Sequence, residues 1–207
     1  MSRLNFAARP GWLMLALCLL LPLAAQAEDA DALSYRGRRY DNGIGVPRDG
    51  AKAQQFYIAA ARANSISAKN NLAYLWARQN GLLEEALCLS AATLQAQPHN
   101  AYYLDTYGLV LMRLGRLDEA QHFFDKSLEE FPDYDDPLEH SGDIAYRRDD
   151  TAAANDFWKR SLRVARNEHQ EAHLGDKLAG KPDDYDAHPP FPLDAGGFGK
   201  NCATPTV

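Results

Sequence analysis

The sequence predicts an all-α solenoid: stacked helical hairpins, then a C-terminal capping helix and a disordered tail. Three observations predict it. A pattern recurs every 34 residues, carrying Gly108 onto Gly142, Ala120 onto Ala154, Phe124 onto Trp158 and Ser127 onto Ser161. The same shift backwards carries Gly115 onto Gly81, Ala120 onto Ala86 and Pro132 onto Pro98. Helix breakers separate the apolar stretches, and small residues keep register where the two helices of a hairpin must cross. A fixed period of this length marks a helical repeat array, in which each hairpin buries its apolar face only against its neighbours.

Taken in order, residues 1–27 read as a secretory signal peptide. Arg3 and Arg9 give a basic start, Trp12–Ala25 an apolar run, and Ala25-Gln26-Ala27 a small-x-small cleavage site. The apolar run is short of the ~20 residues needed to span a bilayer, and Leu15 stands where a lipobox before Cys18 wants a small residue. After cleavage no long apolar run remains, so no transmembrane segment is expected. The chain carries a net charge of −6, and losing two arginines makes it more acidic, which disfavours nucleic acid as a partner. Cys88 and Cys202 share no short motif. In an oxidising compartment they could pair; alternatively Cys88 is a small buried hydrophobe on its helix and Cys202 part of a loose tail.

Residues 28–66 form a first hairpin about the turn Asn42-Gly43-Ile44-Gly45-Val46-Pro47, where glycines allow left-handed backbone and the proline ends a helix. Its second helix, Lys52–Ala63, is lined with alanines. Residues 67–180 hold three more hairpins and the capping helix. Ser67 can cap Ala68–Gln79, Gly81 breaks it, and Leu83–Gln95 returns. Tyr74 replaces the glycine found at Gly108 and Gly142, so the packing here must differ. Tyr102–Leu114 and Leu117–Glu130 follow. Asp136-Pro137-Leu138-Glu139 reads as a helix start with Asp at the N-cap and Glu in capping-box position. Ser161–Leu178 is one extended helix or two short ones, a solvated cap over the last hairpin. Residues 181–207 hold five prolines, three glycines and four aspartates and are expected to be disordered, with Phe191 and Phe198 the candidates for a docking role.

Residues Gly37, Tyr40, Gly43, Gly45, Val46, Pro47, Asp49, Ala53, Tyr57, Ala59 and Ala60 resemble a Sel1-like repeat, with Arg36 in place of the family's Leu. Leu104, Tyr107, Gly108, Leu111, Ala120, Phe124, Ser127 and Pro132 resemble a tetratricopeptide repeat; Leu138, Gly142, Ala145, Ala154, Trp158 and Ser161 repeat the pattern. The resemblance implies a right-handed solenoid of four hairpins whose first helices line a concave groove. Carried over by offset, that groove is Asn71, Leu75 and Arg78; then Tyr102, Asp105, Leu109, Met112 and Arg113; then Glu139, Asp143, Tyr146 and Arg147. Acidic residues stand where some relatives clamp a carboxylate with Lys and Asn. The expected occupant is therefore a helix or extended segment with an apolar stripe and basic residues.

No catalytic constellation emerges. His169 and His173 lie one helical turn apart, but Gln170 occupies the place of a metalloprotease general base, and a solvated helix face is the better reading. There is no P-loop and no nucleophile elbow, and no cofactor or metal is expected. Exported proteins of these families commonly serve as adaptors. The expectation is a non-catalytic, periplasmic or secreted adaptor or assembly factor binding a protein or peptide, with an envelope component as the expected partner. The alternatives are a secreted effector engaging a host protein, or a metal-dependent envelope hydrolase using His169 and His173.

Overall fold

A computed structural model describes residues 29–181 and 191–202; the signal-peptide assignment to 1–27 lies outside them. The described residues form nine α-helices and no strand: α1 Ala30–Asn42, α2 Gly50–Arg62, α3 Ile66–Arg78, α4 Leu83–Ala96, α5 Ala101–Arg113, α6 Leu117–Glu130, α7 Asp135–Arg147, α8 Thr151–Arg163 and α9 Glu168–Leu178. None is long and apolar enough to cross a membrane. Helices α1 to α8 pair as four consecutive antiparallel hairpins, α9 caps the last, and α1, α3, α5 and α7 follow one another along one side of the stack.

The hairpin crossings explain the repeat. At each of three crossings an aromatic ring of the second helix lies over a glycine of the first. A Cβ on Gly37 would sit 2.5 Å from the Tyr57 ring, one on Gly108 2.6 Å from Phe124, and one on Gly142 2.5 Å from Trp158. In the second hairpin the sizes are exchanged. Tyr74 holds the glycine register, and Ser90, in the register of Phe124, is fully buried. Ala86, Ala120 and Ala154 are likewise fully buried. In the third and fourth hairpins a small serine of the register ties the second helix to the start of the first: Ser127 Oγ donates to the Ala101 carbonyl at 2.8 Å, and Ser161 Oγ to that of Asp135 at 3.0 Å.

Several local expectations are corrected. Ser65, not Ser67, caps α3, accepting from the Ala68 N–H at 3.3 Å. Helix α7 starts one residue before Asp136 with Tyr134 at its N-cap and no side-chain cap bond; Glu139 is turned inward rather than closing a capping box. Of the two readings of 161–178, two helices are observed, broken between Arg163 and Glu168. Arg36, which takes the place of the family's Leu, holds its guanidinium 4.5 Å over the Phe56 ring, so its charge stays in water while it covers apolar surface.

The largest correction concerns the tail. Residues 191–202 are not loose but cross α2, the α3–α4 turn and α4 as an irregular strap. Phe191, Leu193 and Phe198 pack on the main core. Gln54 Nε2 donates to the Pro192 carbonyl at 3.1 Å, and Arg62 donates twice to that of Gly196, at 3.0 and 2.8 Å. Cys202 is disulfide-bonded to Cys88 on α4, which settles the alternative left open by the sequence. The remainder of the tail, 182–190 and 203–207, lies outside the described residues.

Candidate functional site: a concave cleft

On the side opposite the strap, the first helices enclose a cleft of about 900 Å³. Helical spacing builds its walls. Asp31, Ser34, Tyr35, Arg38 and Asp41 form one face of α1, and Ser67, Asn70, Asn71, Tyr74 and Arg78 one face of α3. Asn100, Tyr102, Tyr103 and Thr106 come from the start of α5. The far wall is Tyr134 and Asp136 with Arg166 and Asn167 from the α8–α9 connection and Gln170 from the first turn of α9.

The cleft is polar and its charges are partly matched. Arg78 lies 3.9 Å from Asp41 and 5.5 Å from the Tyr74 ring, and Arg48 Nε donates to the Asp41 carbonyl at 2.7 Å. Burial raises the Asp41 carboxyl, against the pull of Arg78 and Arg48. Arg166 bridges Asp135 and Asp136 at 2.6 and 3.1 Å. Burial, followed by the neighbouring charges of Asp105 and Asp135, pushes Asp136 up to about 6 despite Arg166 and His140. Buried Asn70 keeps its Oδ1 without a hydrogen-bond partner among the described residues, and Tyr35 and Tyr102 expose half or more of their surface. The cleft therefore offers hydrogen-bonding amides, tyrosine faces and both charge signs.

The twelve groove residues predicted by offset divide into four sets. Asn71, Arg78 and Tyr102 line the cleft. Leu75, Leu109 and Met112 do not: each is at most 2 % exposed, because the first helices also pack against their neighbours in the stack and bury that stripe. Asp105, Glu139 and Asp143 are withdrawn into internal pairs. His140 meets Asp105 at 3.0 Å. His173 and Lys177 of α9 both meet Glu139 at 2.9 Å, and Lys177 meets Asp143 at 2.6 Å. Tyr146 and Arg147 are exposed beyond the cleft, Tyr146 resting on Trp158 with ring centroids 5.6 Å apart. Arg113, half-buried, is also outside the cleft lining.

This pairing removes the reason for expecting a basic occupant, and it corrects the reading of the His169/His173 face as solvated, since His173 is buried against Glu139. Burial alone would raise the Glu139 carboxyl; the His173 hydrogen bond and the charges of Lys177 and His140 outweigh it and hold the group at about 2. Burial opposes charge on His140, but Asp105, through charge and hydrogen bond, with Asp136 and Glu139, raises it to about 9. The offsets missed the α1 face, whose signal is the i, i+3, i+4, i+7 polar stripe of Asp31, Ser34, Tyr35 and Arg38, and they missed Arg166 and Asn167, which sit in an irregular connection that no repeat offset reaches.

With this geometry in place, the comparisons with known proteins bear on the fold. The tetratricopeptide-repeat profile matches residues 101–134, the stretch holding α5 and α6. MamA from Desulfovibrio magneticus RS-1 superposes with a TM-score of 0.53 at 20 % identity, over 75 % of this chain and 86 % of that one. A tetratricopeptide repeat protein from Parabacteroides merdae gives 0.47 at 21 % identity over 75 % of this chain, which spans only 61 % of that protein. A Sel1 repeat protein from Oxalobacter formigenes gives 0.41 at 22 % identity, over 83 % and 74 % of the two chains. No curated protein matches. Residues 101–134 thus carry a tetratricopeptide-repeat match, and the described residues share an all-α repeat fold with MamA.

Proposed function

We propose that this protein is a non-catalytic adaptor or assembly factor of the cell envelope, exported to the periplasm, that holds a segment of a partner protein in its concave cleft. The observation that carries this reading is the cleft itself, about 900 Å³ of polar surface built from successive hairpins. The Cys88–Cys202 disulfide supports export, since such bonds persist in oxidising compartments. Arg38, Arg48, Arg78 and Arg166 line the cleft against Asp31, Asp41 and Asp136. The segment that suits it therefore carries acidic and aromatic groups, in place of the basic stripe expected from sequence.

The test is in-cell crosslinking and capture with the exported protein, beside an Arg38→Glu/Tyr102→Ala variant shown to be folded. Both side chains are exposed, so the fold should tolerate the change. An envelope protein captured by the wild type and lost from the variant supports the cleft as the site. Identical capture by both forms sinks it, and recovery of the protein only from the cytosol sinks the export reading.

A further inference from the structure

The strap lies on the face opposite the cleft, and its behaviour is independent of the cleft's role. Its seats are shaped for it. A Cβ on Gly50 would run into the Phe191 ring and one on Gly81 into Leu193, so both anchors occupy places that any side chain would fill. Phe198 meets the buried Trp76 edge-on, with centroids 6.5 Å apart. Gln54 accepts from Trp76 Nε1 at 2.9 Å and from the Asp194 N–H at 3.1 Å, joining core and strap through one oxygen. Lys200 approaches the buried Glu85 at 3.6 Å.

Against this, the strap has no regular structure and contributes to none of the hairpin crossings. Three apolar anchors, a few hydrogen bonds and one ion pair hold it, apart from the disulfide that joins it to α4. Within that disulfide the two residues differ in access: Cys202 is exposed, whereas Cys88 is half-buried on α4. Thiol–disulfide exchange depends on which sulfur an attacking thiolate can reach.

We propose that Cys88–Cys202 is a reversible modification site, a latch that a dithiol reductant opens by attack at Cys202, and that opening it releases the strap from the repeat array. In the first step a thiolate of the reductant forms a bond to Cys202 Sγ. The Cys88–Cys202 bond breaks, and Cys88 leaves as a thiolate that takes a proton from water. The reductant's second thiol then displaces Cys202, so that the dithiol ends oxidised and both cysteines end reduced. Release uncovers an apolar channel over Gly50, Ile58, Trp76 and Gly81, while the hairpins keep their own contacts.

The experiment is hydrogen exchange on the full mature chain, oxidised and then reduced with dithiothreitol. The latch requires amides of 191–202 to exchange roughly 100-fold faster or more after reduction, while α5 to α8 change by less than about 3-fold. Two results overturn it. Unchanged strap protection after reduction means that the contacts hold it without the bond, and loss of protection throughout the array means that the disulfide is a structural staple. A Gly50→Val variant gives an independent reading, because it should free the Phe191 end of the strap in the oxidised protein with the bond intact; full strap protection in that variant counts against the seat. The site of attack is read by trapping with a dithiol reductase whose resolving cysteine is replaced by serine. A mixed disulfide on Cys202 is expected, and one on Cys88 overturns the assignment.

Discussion

At the N-terminal end, α2 and α4 are crossed by a segment that returns from the far end of the chain and is bonded covalently to α4. At the C-terminal end, α7 and α8 are covered by the next helix along, which reaches in with His173 and Lys177 to Glu139 and Asp143. The first, third and fourth hairpins share one crossing geometry, and the second exchanges its sizes. A hairpin of a stacked array needs its apolar face covered by a neighbour, and here the first two hairpins and the last carry covers of different chemistry. One closure is apolar and sensitive to thiols; the other is a buried charge cluster and sensitive to protons.

The test that should break this comparison most forcefully is Lys177→Ala. It leaves Glu139 and Asp143 facing each other in a buried site without their shared cation, and removes the ammonium 5.8 Å over the Trp158 ring. The expected cost is about 3–5 kcal/mol in urea unfolding. Hydrogen exchange should place the loss in α7 to α9, with the strap and α1 to α4 still protected and no dependence on reductant. An equal loss in both halves would mean that the array unfolds as one body and that its ends cannot be treated separately.

The shared geometry makes a second, smaller prediction. Gly37→Ala and Gly142→Ala each push a methyl to about 2.5 Å from a ring and should cost similar amounts, about 1–3 kcal/mol. A clear difference would show that one closure stiffens its neighbouring hairpin against relaxation, which would sharpen the contrast rather than remove it.

Much of the array could be read from the chain because a repeat reports its own contacts. Gly108 with Phe124 and Gly142 with Trp158 recur at one spacing, and the exchange of sizes at Tyr74 and Ser90 is visible as a break in it. The site was less legible for the same reason. Offsets named Asn71, Arg78 and Tyr102, which line the cleft, together with Asp105, Glu139 and Asp143, which are paired internally. Their partners His140, His173 and Lys177 obey no repeat rule, and two of the three come from a capping helix outside the pattern. The strap was hidden by composition. Proline, glycine and aspartate carry no periodicity, and three apolar side chains give no sign of burial until a disulfide and two glycine seats fix them in place.

The smallest prediction separates the proton-sensitive end from its own background. Asp136 is raised from 3.8 to about 6. The folded protein therefore holds a proton that the unfolded chain has released, and the stability it contributes is lost as pH rises through 6. Glu139 has the opposite sign. Held at about 2 against 4.5, it contributes stability above 4.5 that is lost only as pH falls towards 2. His140, at about 9 against 6.5, contributes fully below 6.5 and loses its share as pH rises through 9. Between about pH 5 and 6.5 Asp136 is thus the member of this group that titrates, and the wild type should lose about 1 kcal/mol across that interval. Asp136→Asn should flatten the slope there while giving up the Arg166 bond, so that its absolute stability at pH 5 lies below wild type. Urea midpoints at the two pH values decide it. A wild-type slope that survives in Asp136→Asn would assign the titration to another group, and a slope abolished by reductant would place it at the strapped end instead.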